Sequence, residues 1–206
     1  ARAARHFELP ADRLVTAYQI HSSEVVTVDQ PWTAEQSPRA DALVTDRPGI
    51  MLGILAADCA PVLLADSQAA IVGAAHAGWR GALGGVVEAT VAAMEKLGAQ
   101  RQHIVAGVGP CIAQASYEVS EDFAPPFLKQ DAANQRFFAA GGRPGKLQFD
   151  LPGYLLQRLQ LAGIAQADAT GHDTRTDEKD FFSYRRTTLR GEKDYGRLLS
   201  AIALVP

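Results

Sequence analysis

Two histidines and one cysteine, His21, Cys59 and His76, each end an apolar, strand-like run within the first 81 residues of the chain. Side chains at strand ends lie where a packed sheet meets solvent, so three such residues can converge on one point. Two imidazoles and one thiolate suit a tetrahedral zinc ion, and three protein ligands leave a fourth position for water or substrate. An open position is typical of a catalytic metal site. We therefore predict a zinc ion bound by these three residues.

Each of the three residues also has a purely structural interpretation. A single cysteine among alanines is usually a small buried hydrophobic residue, and a histidine beside Ala and Gly is usually a hydrogen-bonded core residue. The regular C-x-x-C spacing of many zinc sites does not occur. The shared context favours the metal, because all three polar groups directly follow a β run.

Charged residues next to these candidates could take part in catalysis. Asp58 precedes Cys59, and its carboxylate is interpreted as a general base, as the partner of a histidine ligand, or as an ordinary turn or capping group. Arg80 lies four residues after His76, flanked by glycines at the predicted start of a helix. A guanidinium at a helix start can bind anions. Arg80 is thus predicted to hold an anionic substrate, with a solvated surface arginine as the alternative.

Four further residues are weaker candidates for a functional role. Arg185 and Arg186 follow the strand-like sequence Phe-Phe-Ser-Tyr, and side chains alternate along a strand, so at most one of them would reach a site. Ser22, next to His21, is a candidate for binding substrate. Cys111 follows Gly-Pro, and packing is favoured over a second reactive thiol.

The composition is that of a globular enzyme. A chain of 206 residues can bury one core, and we predict a single domain over residues 1–206. The net charge of −3 provides no basic surface for nucleic acid, and no apolar run reaches the ~20 residues of a membrane helix. Two cysteines in different contexts make no disulfide framework, and the first residues lack the apolar region of a secretory signal. We expect a cytoplasmic protein with no nucleic-acid or membrane partner, and the oligomeric state stays open.

Apolar runs bounded by turn residues predict a β-rich first half followed by a long helix. Helices are predicted over residues 82–97, 120–129 and 151–161, with Ser120 and Asp150 as N-caps, and residues 131–146 are predicted to form a loop. Strands are predicted over residues 14–20, 24–29, 42–45, 50–57, 61–65, 70–75, 104–108 and 198–205. Helices and strands do not alternate regularly, which favours an α+β fold over a doubly wound sheet.

Seven short segments carry the residue pattern of a known family. They are QIHS at 19–22, ADALVT at 40–45, ADCAPV at 57–62, AHAGWRG at 75–81, GVGPCI at 107–112, YEV at 117–119 and FFSYRR at 181–186. In this order they resemble the motifs of the YfiH-like family, also called the laccase-domain or multicopper polyphenol oxidase family. Its members are mostly described as purine nucleoside phosphorylases. The resemblance runs from about Gln19 to Val205.

The resemblance implies a single-domain α+β fold with layers α/β/β/α and mixed sheets. It also implies a zinc ion bound by the residues that match His21, Cys59 and His76. The activities it implies are phosphorolysis of adenosine, inosine, guanosine and methylthioadenosine, together with deamination of adenosine. Other descriptions of the family name polyphenol oxidation with copper, a cysteine-hydrolase role and the editing of peptidoglycan precursors.

Two departures from the family pattern bear on the site. Family members usually begin with a segment that holds R-x-G-G-x-S, and nothing similar precedes residue 5, so we expect a truncated chain that lacks one anion-binding arginine. The Cys-Thr pair that often precedes FFSYRR is replaced here by Asp173 and Thr174. No thiol is therefore expected to act at that point.

The leading hypothesis is a zinc-dependent attack of phosphate on the glycosidic carbon of a purine nucleoside. Catalysis is then assigned to Cys59, Asp58 and Arg80, and substrate binding to Ser22, Arg80 and Arg185, with purine nucleoside and phosphate as partners. A second hypothesis makes Cys59 the nucleophile of a metal-independent amide hydrolase, with His76 or His21 as its base. A peptidoglycan-editing enzyme, a copper polyphenol oxidase and a non-catalytic zinc-binding protein remain further alternatives. Structural zinc sites usually have four protein ligands, which weighs against the last one.

Overall fold

The computed structural model describes residues 2–205, so the ends of the predicted domain, Ala1 and Pro206, lie outside the described residues. The helices are α1 (Arg2–His6), α2 (Trp79–Gly84), α3 (Val86–Leu97), α4 (Pro125–Gln130), α5 (Leu151–Leu161) and α6 (Tyr184–Arg190). The strands are β1 (Leu14–Thr16), β2 (Val25–Thr27), β3 (Ala42–Thr45), β4 (Met51–Ala56), β5 (Ala60–Asp66), β6 (Ile71–Ala77), β7 (Ile104–Val108), β8 (Glu118–Ser120), β9 (Phe138–Ala140), β10 (Lys146–Phe149), β11 (Gln166–Ala169) and β12 (Leu198–Ala203).

The strands form mixed sheets. A six-stranded sheet has the order β11-β7-β5-β6-β3-β2, in which β11 runs parallel to β7, β2 runs parallel to β3, and the inner pairs are antiparallel. A three-stranded sheet has the order β1-β4-β12, with β12 antiparallel to β4. A third, smaller sheet joins β8, β10 and β9.

The core lies on both faces of the six-stranded sheet, which produces a layered α+β fold. Helices α3 and α5 pack on one face, where Val87, Val91 and Met94 of α3 are buried. The three-stranded sheet covers the other face, where Leu52 and Ile54 of β4 are fully buried. The predicted α+β class with mixed sheets is confirmed. None of the helices among residues 2–205 has the length and hydrophobicity that a membrane span needs.

Several predicted elements differ from the structure for local reasons. The helix predicted over residues 82–97 begins earlier, at Trp79, and is divided because Gly85 adopts a left-handed φ of +89°. The helix predicted over residues 120–129 is a 3₁₀ turn at Glu121–Phe123 followed by α4. The loop predicted over residues 131–146 was wrong in part, since it contains a 3₁₀ helix and strand β9.

The strand interpretation of FFSYRR at 181–186 was also wrong. The side chain of Ser183 accepts a hydrogen bond from the backbone N–H of Arg186, which makes it the N-cap of α6. Arg185 and Arg186 therefore lie on successive positions of a helix, and the alternation of a strand does not decide which of them reaches a site.

Candidate metal centre

Two of the three predicted ligands lie at the ends of neighbouring strands, and His21, predicted to end a strand, lies instead in a connecting segment. Cys59 lies in the corner between β4 and β5, where Asp58 has a positive φ of 82°. His76 is the penultimate residue of β6, and Pro61 of β5 pairs with it in the antiparallel register. His21 lies in the segment between β1 and β2 with a φ of 61°. Antiparallel pairing of β5 with β6 is thus what places the cysteine beside the buried histidine.

The geometry of this cluster is compatible with one metal ion. The candidate ligand atoms of His21, Cys59 and His76 all lie within 4.8 Å of one another. The Cys59 Sγ is 3.8 Å from His21 Nε2, and the two imidazole ring centroids are 4.9 Å apart in an edge-on arrangement. His76 is buried, Cys59 is half-buried and His21 is exposed. These three residues could hold a metal ion with one side open to solvent.

A buried carboxylate that the sequence analysis did not single out holds the cluster together. Asp41 is fully buried and accepts hydrogen bonds from the backbone N–H groups of Ile20, His21 and Ser22 at 3.1, 2.9 and 2.6 Å. The Nδ1 of His76 lies 2.9 Å from the same carboxylate. Because Nδ1 is engaged in this way, Nε2 is the His76 nitrogen left for the cluster. A carboxylate behind a ligating histidine is a regular feature of metal sites.

The electrostatics of the cluster favour an ionised thiol. Burial by itself raises the pKa of Cys59, but hydrogen bonds from His21 and His76 outweigh it and lower the pKa to about 7. Burial by itself lowers the pKa of His76, but its bonds to Asp41 and Cys59 raise the pKa to about 9. Burial also raises the pKa of Asp41, yet hydrogen bonds from His76, Ser22 and Ile20 hold it well below its usual range. The thiolate is the form of cysteine that binds metals.

Gly78 allows the cysteine and the first histidine to approach each other. A Cβ at this position would lie 2.7 Å from Cys59 Sγ and 3.1 Å from His21 Cδ2. The side chains that would have to move, those of Cys59 and His21, are predicted ligands and not part of the apolar core. Gly78→Ala is therefore expected to weaken zinc binding by about 10- to 100-fold, the range seen when ligand orientation is disturbed. The thermal midpoint of unfolding should change little.

Competition with a chromogenic zinc chelator measures this effect, and thermal unfolding monitors the fold. Gly84→Ala is the matched control, because Gly84 lies in the helix that follows Gly78 and a Cβ there meets nothing within 4 Å. If Gly78→Ala binds zinc as tightly as the unsubstituted chain does, the three residues do not form the zinc site in this arrangement.

The Asp58 carboxylate hydrogen-bonds to groups other than the histidines of the cluster. Its carboxylate accepts a hydrogen bond from the Thr174 hydroxyl at 2.7 Å and one from the backbone N–H of Arg185 at 2.6 Å. The carboxylate that contacts a histidine is Asp41. The interpretation of Asp58 as partner of a histidine ligand is corrected accordingly: in the structure Asp58 ties the start of α6 to the corner that carries Cys59.

The two arginines assigned to phosphate, Arg80 and Arg185, both act electrostatically on Tyr117. Burial raises the pKa of Tyr117, the charges of Cys59 and Asp58 add to that effect, and the charges of Arg185 and Arg80 oppose it. Arg185 donates to the backbone carbonyl of Glu118 at 2.7 Å, and its guanidinium lies 5.4 Å from the Tyr117 ring centroid. Arg80 is exposed, and its guanidinium lies 4.6 Å from the Trp79 ring centroid.

The cluster opens into a cavity of about 350 Å³ whose lining includes His21, Cys59 and His76. The other lining residues are Ala17, Tyr18, Gln19, Leu55, Ala56, Ala57, Tyr195 and Arg197. Ser22, Asp58, Arg80 and Arg185 are not part of this lining, and the Ser22 hydroxyl donates to Asp41 at 2.8 Å. Tyr195 and Arg197 were not identified from the sequence, because their place beside the cluster depends on the pairing of β12 with β4.

Two other features carry no catalytic group. Cys111 is only 3% exposed, and burial raises the pKa of its thiol to about 12, in agreement with the packing interpretation. A larger hollow of about 670 Å³ beside α5 and β11 has a lining of glycine, glutamine and apolar residues. Neither of these two features adds a catalytic candidate to the His-Cys-His cluster.

Fold and site together define a class of protein: a layered α+β chain in which a cysteine and a histidine at strand ends and a histidine from a connecting segment form an open cluster. The family model of the multi-copper polyphenol oxidoreductase laccases matches residues 1–205. The chain belongs to this family, the laccase-domain or YfiH-like family, and the resemblance seen in its seven segments is confirmed.

Similar proteins carry names of purine metabolism. Purine nucleoside phosphorylase RC0672 of Rickettsia conorii is 34% identical over 194 residues, which cover 94% of this chain and 79% of that protein. Adenosine deaminase RL5 from an unknown prokaryotic organism is 35% identical over 193 residues, covering 89% of this chain and 74% of that protein. The crystal structure of Bacillus licheniformis hypothetical protein YfiH superimposes with a TM-score of 0.89 at 28% identity, covering 98% of this chain and 78% of that one.

Proposed function

We propose that this chain is a zinc-dependent purine nucleoside phosphorylase that acts on adenosine, inosine, guanosine and methylthioadenosine and also deaminates adenosine. The observation that carries the proposal is the cluster of His21, Cys59 and His76, which opens into a cavity of about 350 Å³. That volume lies within the range typical of small-ligand sites, about 300–1,000 Å³. The names of two relatives, a purine nucleoside phosphorylase and an adenosine deaminase, supply the substrate class.

The donor set fits zinc. Ligands of a tetrahedral zinc ion with bonds of ~2.0–2.3 Å lie about 3.3–3.8 Å apart. Cys59 Sγ is 3.8 Å from His21 Nε2, and the separations among the three ligand atoms do not exceed 4.8 Å. A thiol with a pKa of about 7 loses its proton readily near neutral pH. When bound, zinc would supply positive charge that orients phosphate or sugar oxygens and lowers the pKa of a water molecule.

The residues of the chain have separate tasks in this proposal. Asp41 fixes the ring of His76 and the backbone that carries His21. Arg80 and Arg185 hold the phosphate, and Asp58 positions Arg185 through the backbone N–H of that residue. We assign Asp58 this positioning role in place of a general base, because both of its oxygens already accept hydrogen bonds.

The direct test of the function is an assay of inosine with inorganic phosphate. Release of hypoxanthine together with an equal amount of ribose 1-phosphate supports phosphorolysis. Hypoxanthine released at the same rate without phosphate would indicate a hydrolase instead.

Arg80→Ala is expected to weaken phosphate binding and to leave the zinc content unchanged. The loss of a charge-assisted contact costs about 1.5–3 kcal/mol, or roughly 10- to 100-fold in affinity. Phosphorolysis measured at several phosphate concentrations should fall much further than adenosine deamination, which needs no phosphate. An equal fall in both activities would assign Arg80 to general support of the site, and no fall in either would make it a surface arginine.

A second candidate function has one specific observation in its favour. Cys59, His76 and Asp41 follow one another in the order of a nucleophile, a base and the carboxylate that orients the base. Such a triad would attack an amide without metal. Chelation separates the two functions, because the hydrolase would survive removal of metal and would be lost on alkylation of the thiol.

A further inference from the structure

The cavity beside the cluster has a second wall that none of the assigned roles uses. This wall is formed by Tyr18, Tyr195 and the exposed residue Arg197, which all line the cavity. Arg197 is the only permanently charged residue in the lining, which contains no Asp or Glu. Arg80 and Arg185, the residues assigned to phosphate, do not line this cavity. The wall is thus suited to a flat, neutral molecule with hydrogen-bond acceptors on its edge.

Strand pairing and stacking both hold Arg197 in this position. Leu198, the first residue of β12, pairs with Ala56 of β4, so Arg197 extends toward the corner that carries Cys59. The Arg197 guanidinium lies 4.8 Å from the ring centroid of Tyr195. Gly196, between the two, approaches Phe182 so closely that a Cβ there would lie 2.6 Å from the ring. A guanidinium stacked on an aromatic ring keeps its in-plane N–H groups available to a ligand.

We propose that Arg197 recognises the purine base of the nucleoside, donating to N7 and, in 6-oxopurines, to O6 as well. This inference rests on the proposed phosphorylase function and names the specificity residue of the same site. The N7 and O6 acceptors of guanine are the pair that arginine binds in a bidentate manner in DNA, and hypoxanthine presents the same pair. A 6-amino group offers a donor in place of O6, so adenosine would make only the N7 contact.

The reaction explains why a cation is useful at this position. A phosphate oxygen forms a bond to C1′ while the bond from C1′ to N9 breaks, and the electron pair of the broken bond stays on the purine. The negative charge spreads over the ring as far as N7, and the base then takes up the proton that hydrogen phosphate gives up. The Arg197 guanidinium beside N7 would stabilise this charge as it develops.

The test compares Arg197→Ala and Arg197→Lys with the unsubstituted chain on inosine and adenosine. For Arg197→Ala, kcat/KM for phosphorolysis of inosine should fall about 10- to 100-fold, because the substitution removes hydrogen bonds from a charged donor to the base. The fall for adenosine should be several-fold smaller, and lysine should restore part of the rate but not the preference for inosine. A second readout is the affinity for 7-deazainosine, which lacks N7. Its affinity should change less on substitution than the affinity for inosine.

Arg136→Ala is the matched control, because this arginine also stacks on a ring, at 4.9 Å from the Phe137 centroid, and does not line the cavity. Equal falls for inosine and adenosine, or equal changes for inosine and 7-deazainosine, would overturn the assignment of Arg197. A chain that binds inosine without phosphorolysing it would contradict the proposed function alone. In that case the affinity for inosine, titrated without phosphate, would still test the role of Arg197. Identical affinities of the unsubstituted chain and of Arg197→Ala would overturn that role.

Discussion

Cys59→Ala is expected to remove the bound zinc and the phosphorolysis of inosine together. The substitution deletes one of the three proposed ligands, and the remaining imidazoles of His21 and His76 offer no negative charge to an ion. Even a lost partner behind a ligand costs about 10- to 100-fold in metal affinity, so the loss of a ligand should exceed about 100-fold. Metal analysis of the purified protein and release of hypoxanthine measure the two effects.

Cys111→Ala is the matched control for this change. It removes the other thiol of the chain, which is 3% exposed and belongs to the apolar core. This variant should keep one zinc ion per chain and full activity. A Cys59→Ala protein with its full zinc content would show that the ligand assignment is wrong, and one that lost zinc but kept its activity would show that the metal is not needed.

Asp41→Asn is expected to have the second-largest effect. The carboxylate accepts hydrogen bonds from the backbone N–H groups of Ile20, His21 and Ser22 and contacts His76. An amide of the same shape turns its own N–H groups toward some of these donors, so those hydrogen bonds are lost. Breaking a buried charged network costs about 3–5 kcal/mol in the free energy of unfolding. Zinc affinity should fall by about 10- to 100-fold, because the ring of His76 loses its orientation.

Denaturant unfolding and chelator competition measure these two losses separately. Asp66→Asn is the matched control, since Asp66 is a buried carboxylate that accepts backbone hydrogen bonds from Gln68, Ala69 and Gln100. It should destabilise the fold without changing zinc affinity. If Asp41→Asn affects stability alone, as Asp66→Asn is expected to do, Asp41 supports the loop and has no influence on the metal.

The parts of the fold that could be predicted from sequence are those set by local patterns. The apolar runs of β5 and β6 and the stripe of α3 are visible in short windows, and the corner containing Cys59 follows directly from them. That His21 meets the other two residues was predicted from a shared context and from the family resemblance, and the structure brings all three within 4.8 Å.

The parts that could not be predicted depend on pairing across long stretches of chain. Asp41 reaches His76 because Ala42 of β3 pairs with Ala75 of β6, and no local pattern distinguishes Asp41 from Asp58 as the partner of a histidine. Arg197 reaches the cavity because β12 pairs with β4, about 140 residues earlier in the chain.

The segment that forms helix α6 was predicted wrongly for a different reason. Its aromatic residues favoured a strand, although Ser183 carried a recognisable capping signal. In this segment the cap and the hydrogen bond from the Arg185 backbone N–H to Asp58 outweigh the intrinsic preference of the aromatic residues.

The most direct test of the central claim is a zinc titration of metal-stripped protein in the presence of inosine and phosphate. We predict that release of hypoxanthine rises linearly with added zinc, reaches a plateau at one ion per chain, and is matched mole for mole by ribose 1-phosphate. Activity that is already complete in the stripped protein, or that rises without a plateau near one equivalent, would contradict a zinc-dependent phosphorylase built on His21, Cys59 and His76.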